Sequence, residues 1–391
     1  MNYILFDSDV RNSLLPFTYT RPVADIRIGV LTIREKWEKF LGFTTTSITE
    51  EYLENKYPMV ELDKNILINA SFLPTKNLVK QVSNLSNNQA IFKDEQVIAF
   101  FTSDTQEHVD FDSYEQLEFK EEVLQIKNTW DIFSLNDKAI KADYDLITQG
   151  RTSAPIPEGV HAINKENIFI EEGATISFSS LNASTGPIYI GKDSEIMEGC
   201  LVRGPFALCE YSVLKMGAKV YGATTLGPYC KVGGEVNNSV LFGFSSKGHE
   251  GFLGNSVLGE WCNVGADTNT SNLKNNYAEV KLWDYHAERF TNTGLQFCGL
   301  MMGDHSKCGI NTMFNTGTVI GVSANIFGSG FPRNFIPSFS WGGAAGFTTY
   351  QLNKVIEVAK VVMKRRELEW SEIDEKILQH VFDETAKNRA K

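Results

Sequence analysis

Histidine and cysteine are the residue types in this chain that could bind a metal or move a proton near neutral pH, and the chain has six of each. The cysteines show neither the C-x-x-C spacing of a zinc site nor the density of a disulfide-bonded scaffold, so we expect packing thiols. His249, His286 and His305 are 37 and 19 residues apart, which does not favour a three-histidine metal site. We therefore expect no metal on these side chains. An imidazole is suited to proton transfer because its pKa lies nearest to neutrality.

A row of aliphatic residues at every sixth position indicates the scaffold that must position such side chains. The row consists of Ile190, Ile196, Val202, Leu208, Leu214, Val220, Leu226 and Val232. A period of six matches neither a helix nor a simple strand. It is typical of a parallel β-helix, whose coils of about eighteen residues have three flat sides and stack about 4.8 Å apart. We predict that these aliphatic side chains fill the inside of the prism.

The repeat continues past Val232 but changes register twice. It returns at Leu258 and Val264, and again at Met302, Cys308, Phe314, Ile320 and Ile326. The intervals 232–258 and 264–302 are 26 and 38 residues long, each two more than a multiple of six. We predict an excursion out of the coil in each interval, and excursions of this kind often carry function.

The segments on either side of the repeat are typical of other structures. In residues 1–150, apolar strand patterns at 3–6, 66–68 and 96–101 alternate with helical patterns such as 32–41, which predicts an α/β domain. Glycine and prolines at 150–157 indicate a boundary. We predict the β-helix over 151–340 and a helical extension over 341–391, with Thr348 and Ser371 as helix caps.

Several short stretches within residues 231–276 carry a resemblance to a known family. They are Glu235-Val236-Asn237-Asn238-Ser239-Val240, Gly248-His249, Leu253-Gly254-Asn255-Ser256, Leu258-Gly259-Glu260, Asn263-Val264-Gly265-Ala266 and Asn272-Leu273-Lys274. This region resembles the acetyltransferase half of the bacterial bifunctional N-acetylglucosamine-1-phosphate uridyltransferase/glucosamine-1-phosphate acetyltransferase and its archaeal relatives. The resemblance implies a left-handed β-helix, a homotrimer, and acetyl-CoA as a cosubstrate in a groove between chains.

The same resemblance implies roles for individual side chains. His249 matches the catalytic base of the family, and an amino sugar must lose a proton before it attacks a thioester. Asn263 and Asn272 match asparagines that contact the amino sugar and the acetyl donor, which an amide can orient without adding charge. The predicted substrate-binding set is Asn263, Asn272, Lys247, Phe252 and Lys274. Phe252 stands at a family tyrosine, and Lys247 is one position out of line with a family lysine.

The N-terminal domain resembles the sugar-1-phosphate nucleotidyltransferases through residues 15–18, 21–22 and 129–133. Residues 7–11 replace the family's Gly-x-Gly-Thr-Arg loop by Asp-Ser-Asp-Val-Arg, and Ser71 stands at a metal-binding aspartate. We therefore predict a shortened, degenerate domain in which Arg11 and Arg21 bind a nucleotide or phosphate. Mg²⁺ is expected only if this domain is active.

Together these features predict an acyl-CoA-dependent N-acetyltransferase that acts on an amino-sugar phosphate or nucleotide sugar, in cell-envelope biosynthesis. One alternative is an active sugar-1-phosphate nucleotidyltransferase that transfers uridylyl or thymidylyl groups. A second alternative is a non-catalytic trimeric scaffold. The histidine spacing disfavours a zinc hydratase, although one such class uses a left-handed β-helix.

Charge and hydropathy exclude other classes of partner. The formal net charge of -11 over 391 residues disfavours nucleic acid and anionic membranes as partners. Residues 1–9 show no export signal, and no stretch reaches eighteen apolar residues. We therefore expect a cytoplasmic location, with a sugar phosphate and acyl-CoA as small-molecule partners.

Overall fold

The N-terminal part of the chain forms a mixed six-stranded sheet. The computed structural model describes residues 1–103 and 109–389. The strands are β1 (Asn2–Phe6), β2 (Thr46–Ile48), β3 (Asn65–Asn69), β4 (Gln89–Lys93), β5 (Gln96–Thr102) and β6 (Glu115–Glu118), in the sheet order β2-β1-β3-β5-β4-β6. β1 pairs in parallel with β2 and β3, whereas β5 is antiparallel to β3 and β4. The predicted α/β character and strand patterns are confirmed.

Helices lie between and after the strands of this sheet. They are α1 (Val10–Ser13), α2 (Ile33–Leu41), α3 (Glu51–Glu54), α4 (Lys76–Ser83), α5 (Asp131–Ser134) and α6 (Asn136–Thr148), with 3-10 turns at Phe17–Tyr19, Val23–Asp25 and Phe111–Ser113. The Thr32 hydroxyl accepts a hydrogen bond from the Glu35 backbone N–H, and the Glu35 carboxylate accepts one from the Thr32 N–H. This reciprocal cap fixes the start of α2 where the sequence pattern predicts it.

The middle of the chain is a left-handed parallel β-helix with three faces. The six-stranded face holds His161–Ile163, Ser180–Asn182, Leu201–Arg203, Lys219–Tyr221, Glu235–Asn237 and Phe252–Gly254. The nine-stranded face holds Ile168–Ile170, Ile188–Ile190, Phe206–Leu208, Thr224–Leu226, Val240–Gly243, Val257–Glu260, Met301–Met302, Val319–Ile320 and Phe335–Ile336. The ten-stranded face holds Thr175–Ile176, Glu195–Ile196, Val213–Leu214, Lys231–Val232, Ser246–Lys247, Asn263–Val264, Lys307–Cys308, Asn325–Ile326, Ser340–Gly343 and Gly346–Thr349. A further strand pair, Asn269–Thr270 with Met313–Phe314, and a 3-10 turn at Lys165–Asn167 complete the coils.

The predicted inward row is confirmed. All eight residues from Ile190 to Val232 are buried, with at most 3% of their surface exposed. Each such side chain contributes about 1.5–3 kcal/mol when it leaves water. The interior of the prism is therefore apolar along this row, and the row is interrupted one coil after Val232 by Lys247.

The prediction of an excursion in the interval 232–258 is wrong. The chain stays in the coil there, and its inward residues are Val236, Leu241, Lys247 and Leu253. These residues follow Val232 at steps of 4, 5, 6 and 6, and the next step, to Leu258, is 5. Shorter corners therefore absorb the change of register without any departure from the prism.

The predicted excursion in the interval 264–302 is confirmed. After Asn269–Thr270 the chain leaves the coil and forms an antiparallel hairpin of Lys281–Asp284 with Arg289–Asn292. It returns to the nine-stranded face at Met301–Met302. The Trp283 ring stacks on Phe335, with centroids 4.2 Å apart, which holds the hairpin against the last coils.

The chain ends in helices α7 (Leu352–Lys364), α8 (Glu372–Glu384) and α9 (Ala386–Arg389). Ser371 caps α8 as predicted, because its hydroxyl accepts a hydrogen bond from the Asp374 N–H at 3.1 Å. The predicted cap at Thr348 is wrong, since Thr348 lies in a strand antiparallel to Ser340–Gly343. Among the helices of residues 1–103 and 109–389, none is long and apolar enough to cross a bilayer.

The outer side of the nine-stranded face is covered by the N-terminal domain. Phe17 of that domain packs on Phe242 of the β-helix, with ring centroids 5.2 Å apart, and both belong to one hydrophobic core with residues of α7 and α8. A division at 150 and 340 therefore separates elements that share a core, and we keep these limits as a proposal.

A buried ion pair also joins the two parts. The Arg21 guanidinium donates to the Asp304 carboxylate and lies 3.3 Å from a Glu260 carboxylate oxygen. The Thr20 hydroxyl donates to the same Asp304 oxygen at 2.7 Å. The side chains of Arg21 and Asp304 are both only 4% exposed, so each charge depends on the other for its compensation.

We predict that Arg21→Met lowers the free energy of unfolding by about 3 kcal/mol, because Asp304 stays buried without its cation. The double variant Arg21→Met/Asp304→Asn should recover part of this loss, since it removes the uncompensated charge. Chemical denaturation measures both effects. Lys141→Met, which breaks the exposed pair with Asp137, should change the free energy by no more than about 0.5 kcal/mol. A similar loss in Lys141→Met and Arg21→Met would contradict the role of the buried pair.

Candidate functional site

His249 lies at a corner of the prism, between the ten-stranded and six-stranded faces. It follows Ser246–Lys247 and precedes Phe252–Gly254, and its side chain is exposed. The turn requires Gly251, which has φ +116° and whose Cβ would overlap the Thr268 carbonyl oxygen of the next coil. The corner thus presents an imidazole to solvent from a tightly packed backbone.

Lys247 supports this corner from inside the prism. Its side chain occupies the inward position that Val232 occupies one coil earlier, and it is 2% exposed. The ammonium donates to the carbonyl oxygens of Gly233 at 2.9 Å and His249 at 2.7 Å. Burial lowers the pKa of Lys247 to about 8. The ammonium therefore anchors the backbone that carries His249, and its predicted contact with substrate stays a prediction.

Two other predicted residues meet on the six-stranded side. Both side chains lie directly over Gly254. A Cβ at Gly254 would lie 2.5 Å from Phe252 Cζ and 2.7 Å from Asn272 Nδ2, so only glycine leaves room for the two side chains there. The Asn272 amide donates to Asn255 Oδ1 at 2.8 Å. Phe252 and Asn272 thus lie side by side on one surface.

Asn263 and Lys274 lie apart from that surface. Asn263 is exposed on the outer side of the ten-stranded face, paired in register with Ser246. Lys274 lies in the segment after Asn269–Thr270, where the chain leaves the coil, and its ammonium donates to the Glu279 carbonyl oxygen at 2.9 Å. Among the described residues, no hydrogen bond joins His249 to Asn263, Asn272 or Lys274. Within one chain, the predicted set is spread around the corner and its two neighbouring faces.

The charged side chains of the loop after β1 bind groups of the protein itself. The Asp7 carboxylate accepts hydrogen bonds from the Val23 N–H at 2.8 Å and the Thr49 hydroxyl at 2.7 Å, and Arg11 Nε lies 3.3 Å away. Burial raises the pKa of Asp7 to about 6. Arg11 also donates to the Thr18 carbonyl oxygen and to the Tyr52 hydroxyl. Arg11 thus has protein partners, as Arg21 does, and phosphate binding by either residue stays a prediction.

The residues of this domain do not fit a Mg²⁺ site. Ser71 donates its hydroxyl hydrogen to Asn69 Oδ1 at 2.8 Å, and both residues are buried. Within residues 1–103 and 109–389, there is no group of three or more His, Cys, Asp or Glu side chains that could hold a metal ion. We therefore derive no catalytic step through a metal.

Sequence reasoning missed a row of stacked rings at the corner between the nine-stranded and ten-stranded faces. The row runs through Tyr211, Tyr229, Phe244, Trp261 and His305, with successive centroids 4.8, 5.0, 4.3 and 6.2 Å apart. Tyr211, Tyr229, Phe244 and Trp261 are 18, 15 and 17 residues apart, about one coil each, and this spacing is a signal that could have found them. Burial lowers the pKa of His305 to about 3, so its imidazole is neutral. His249 and His305 thus lie at different corners, and His286 lies between the hairpin strands, so the three histidines do not converge.

Comparison with known proteins bears on the two parts of the chain separately. Residues 3–152 match the family described as sugar nucleotidyl transferase. No curated protein matches the chain in sequence.

Solved structures that resemble the chain include several acyltransferases. The polySia-specific acetyltransferase NeuO has 10% identity and a TM-score of 0.24, over 49% of this chain and 79% of NeuO. A mutant of AntD, an N-acyltransferase from Bacillus cereus in complex with dTDP and coenzyme A, has 13% identity and a TM-score of 0.23, over 53% and 90%. The UDP-N-acetylglucosamine acyltransferase from Campylobacter jejuni has 13% identity and a TM-score of 0.23, over 57% and 95%. The strand pairs of this chain by themselves establish its parallel β-helix.

We predict that Lys247→Met changes the pH dependence of stability. The unfolded chain binds a proton on Lys247 up to its usual pKa of 10.5, whereas the folded chain does so only up to about 8. The wild-type chain should therefore gain stability relative to Lys247→Met as the pH rises from 8 to 10.5, by about 3 kcal/mol in all. Below pH 8 this difference should stay constant.

Chemical denaturation of both proteins at several pH values measures this difference. Lys192→Met removes an exposed lysine and controls for the loss of one positive charge. A difference between wild type and Lys247→Met that does not vary with pH would contradict a buried ammonium.

Proposed function

We propose that this protein is an acyl-CoA-dependent N-acetyltransferase that acts on an amino-sugar phosphate or a nucleotide-linked sugar. The observation that carries the proposal is an exposed imidazole, His249, on a corner whose backbone is fixed from inside by the Lys247 ammonium. A base must be both accessible and held in position, and this corner meets both requirements. The family resemblance of residues 231–276 supports the same assignment.

The proposed reaction uses His249 as a general base. The imidazole takes a proton from the protonated amino group of the sugar, and the free amine attacks the thioester carbonyl carbon. A C–N bond forms and the C–S bond breaks. The nitrogen then loses its second proton, which the released thiolate takes up, so the products are the amide and the free thiol, while the first proton leaves His249 to solvent. Backbone N–H groups stabilise the oxyanion of the tetrahedral intermediate.

The other predicted residues complete the proposal. Phe252 and Asn272 form one surface beside this corner. The phenyl ring is suited to pack on the sugar ring, and the amide is suited to hydrogen-bond with the polar groups of the sugar. Asn263 lies on the neighbouring face, and we propose that a second chain of a homotrimer brings the two faces into one site. A cytoplasmic location and a role in cell-envelope biosynthesis belong to the same proposal.

We predict that His249→Ala lowers kcat at least 100-fold with glucosamine 1-phosphate or a nucleotide-linked amino sugar, because the amine then lacks its base. Thiol release from acetyl-CoA measures the rate, and the melting temperature should stay within about 2 °C since the side chain is exposed. His286→Ala, at an exposed position between the hairpin strands, is the matched control and should keep full activity. Equal rates in the wild type and His249→Ala would remove the assignment.

A second candidate function is nucleotidyl transfer by the N-terminal domain, which the family match of residues 3–152 favours. We rank it second because Arg11 and Arg21 already have partners within the protein.

This second candidate predicts pyrophosphate release from UTP or dTTP in the presence of a sugar 1-phosphate and Mg²⁺. Reactions without the sugar are the control. Release that requires the sugar would support transfer, whereas no release from any common pair would leave the domain a binding or structural role.

A further inference from the structure

The hairpin that leaves the coil after Asn269–Thr270 forms one wall of a large cavity. The cavity has a volume of about 700 Å³, within the range of small-molecule sites, and lies between the hairpin and the last coils. Thr316, Asn334 and Pro337 line the coil side, and Asn388 of α9 lies at its edge. The cavity opens at the corner between the six-stranded and nine-stranded faces, whereas His249 is at another corner.

The charged side chains that line the cavity are all cations. They are Lys274, Lys281 and Arg333, and no carboxylate side chain is among the described residues that line it. Lys274 uses one of its three N–H donors on the Glu279 carbonyl oxygen, and within residues 1–103 and 109–389 its other two donors have no partner. In a chain with a formal net charge of -11, a cavity lined by three cations is suited to an anion.

Aromatic rings also line the cavity. Phe290 contacts the edge of Trp283 at a centroid distance of 5.4 Å, and 42% of the Phe290 surface is exposed. The face of Phe335 supports Trp283 from behind. Such rings bind planar heterocycles by stacking, worth about 1–3 kcal/mol per base.

Trp283 lines the cavity with its ring and not with an accessible indole N–H. The N–H is buried, with almost no accessible surface, and makes no hydrogen bond within the part of the chain that the structure describes. A ligand in the cavity therefore does not reach this donor, and the cations and the Phe290 ring are the groups that it would contact.

We propose that this cavity binds a phosphorylated nucleoside, with its base stacked on the exposed Phe290 ring and its phosphates on Lys281 and Arg333. Two ligands share this chemistry: the nucleotide half of coenzyme A, and the nucleoside diphosphate of a nucleotide-linked sugar. The site goes beyond the proposed role of His249, because it can be occupied whether or not that histidine acts as a base. Binding measurements therefore test it separately from activity.

Calorimetric titration of the full chain with coenzyme A, UDP, dTDP and inorganic pyrophosphate tests the proposal. At least one nucleotide should bind with saturation, and tighter than pyrophosphate, since only the nucleotides carry a base. Arg333→Glu and Lys281→Glu should each weaken that nucleotide at least tenfold, and Phe290→Ala should weaken it by a similar factor. Lys192→Glu, an equal charge change on an exposed corner, should alter the affinity less than twofold.

The outcomes separate the two ligands and can overturn the site. Binding of coenzyme A alone supports an acyl-donor site, and binding of UDP or dTDP alone supports a nucleotide-sugar site. No saturable binding up to millimolar nucleotide would overturn the proposal, as would an affinity that Arg333→Glu and Lys281→Glu leave unchanged. Pyrophosphate binding as tight as that of the nucleotides would also overturn it. Lys281 and Arg333 are exposed, so melting temperatures should confirm that both variants fold.

Discussion

The structure depends on one constraint: every coil of the β-helix must place an apolar side chain in each side of the same narrow prism. Side chains alternate between the two sides of a strand, so the inward row determines which residues face outward. At 232–258 the chain shortens its corners to keep its inward positions in register, and Lys247 is the charged side chain at one of them. Side chains of the β-helix that can contact a ligand therefore lie at its corners, on its outer faces and in the hairpin excursion.

Lys247 is the exception that links the core to the candidate site. A charged group inside an apolar prism is stable only when its hydrogen-bond donors find acceptors, and the corner supplies two carbonyl oxygens. One of them belongs to His249 itself. The Lys247 side chain thus lies inside the prism, whereas its hydrogen bonds go to the backbone of the corner.

In the N-terminal domain, the two arginines that the sequence predicts to bind a nucleotide or phosphate make contacts within the protein. Arg21 pairs with Asp304, and Arg11 bonds to Thr18 and Tyr52. The outer side of the nine-stranded face is covered as a result, and the domain and β-helix share one core. The cations that line the hairpin cavity, in contrast, have no carboxylate among its described lining residues.

The sequence by itself determined the solenoid, because an inward residue every sixth position is a local pattern that needs no knowledge of distant contacts. It also determined α2 and α8, whose caps lie within three residues of the helix start. Its family resemblance singled out His249, which the structure places on an exposed corner. Only the tertiary structure decided that Lys247 points inward, since a shift of one residue in register moves a side chain to the other side of a strand. Likewise, it alone joined Arg21 to Asp304 and gathered Lys274, Trp283 and Arg333 around one cavity, because those contacts connect residues that are far apart along the chain.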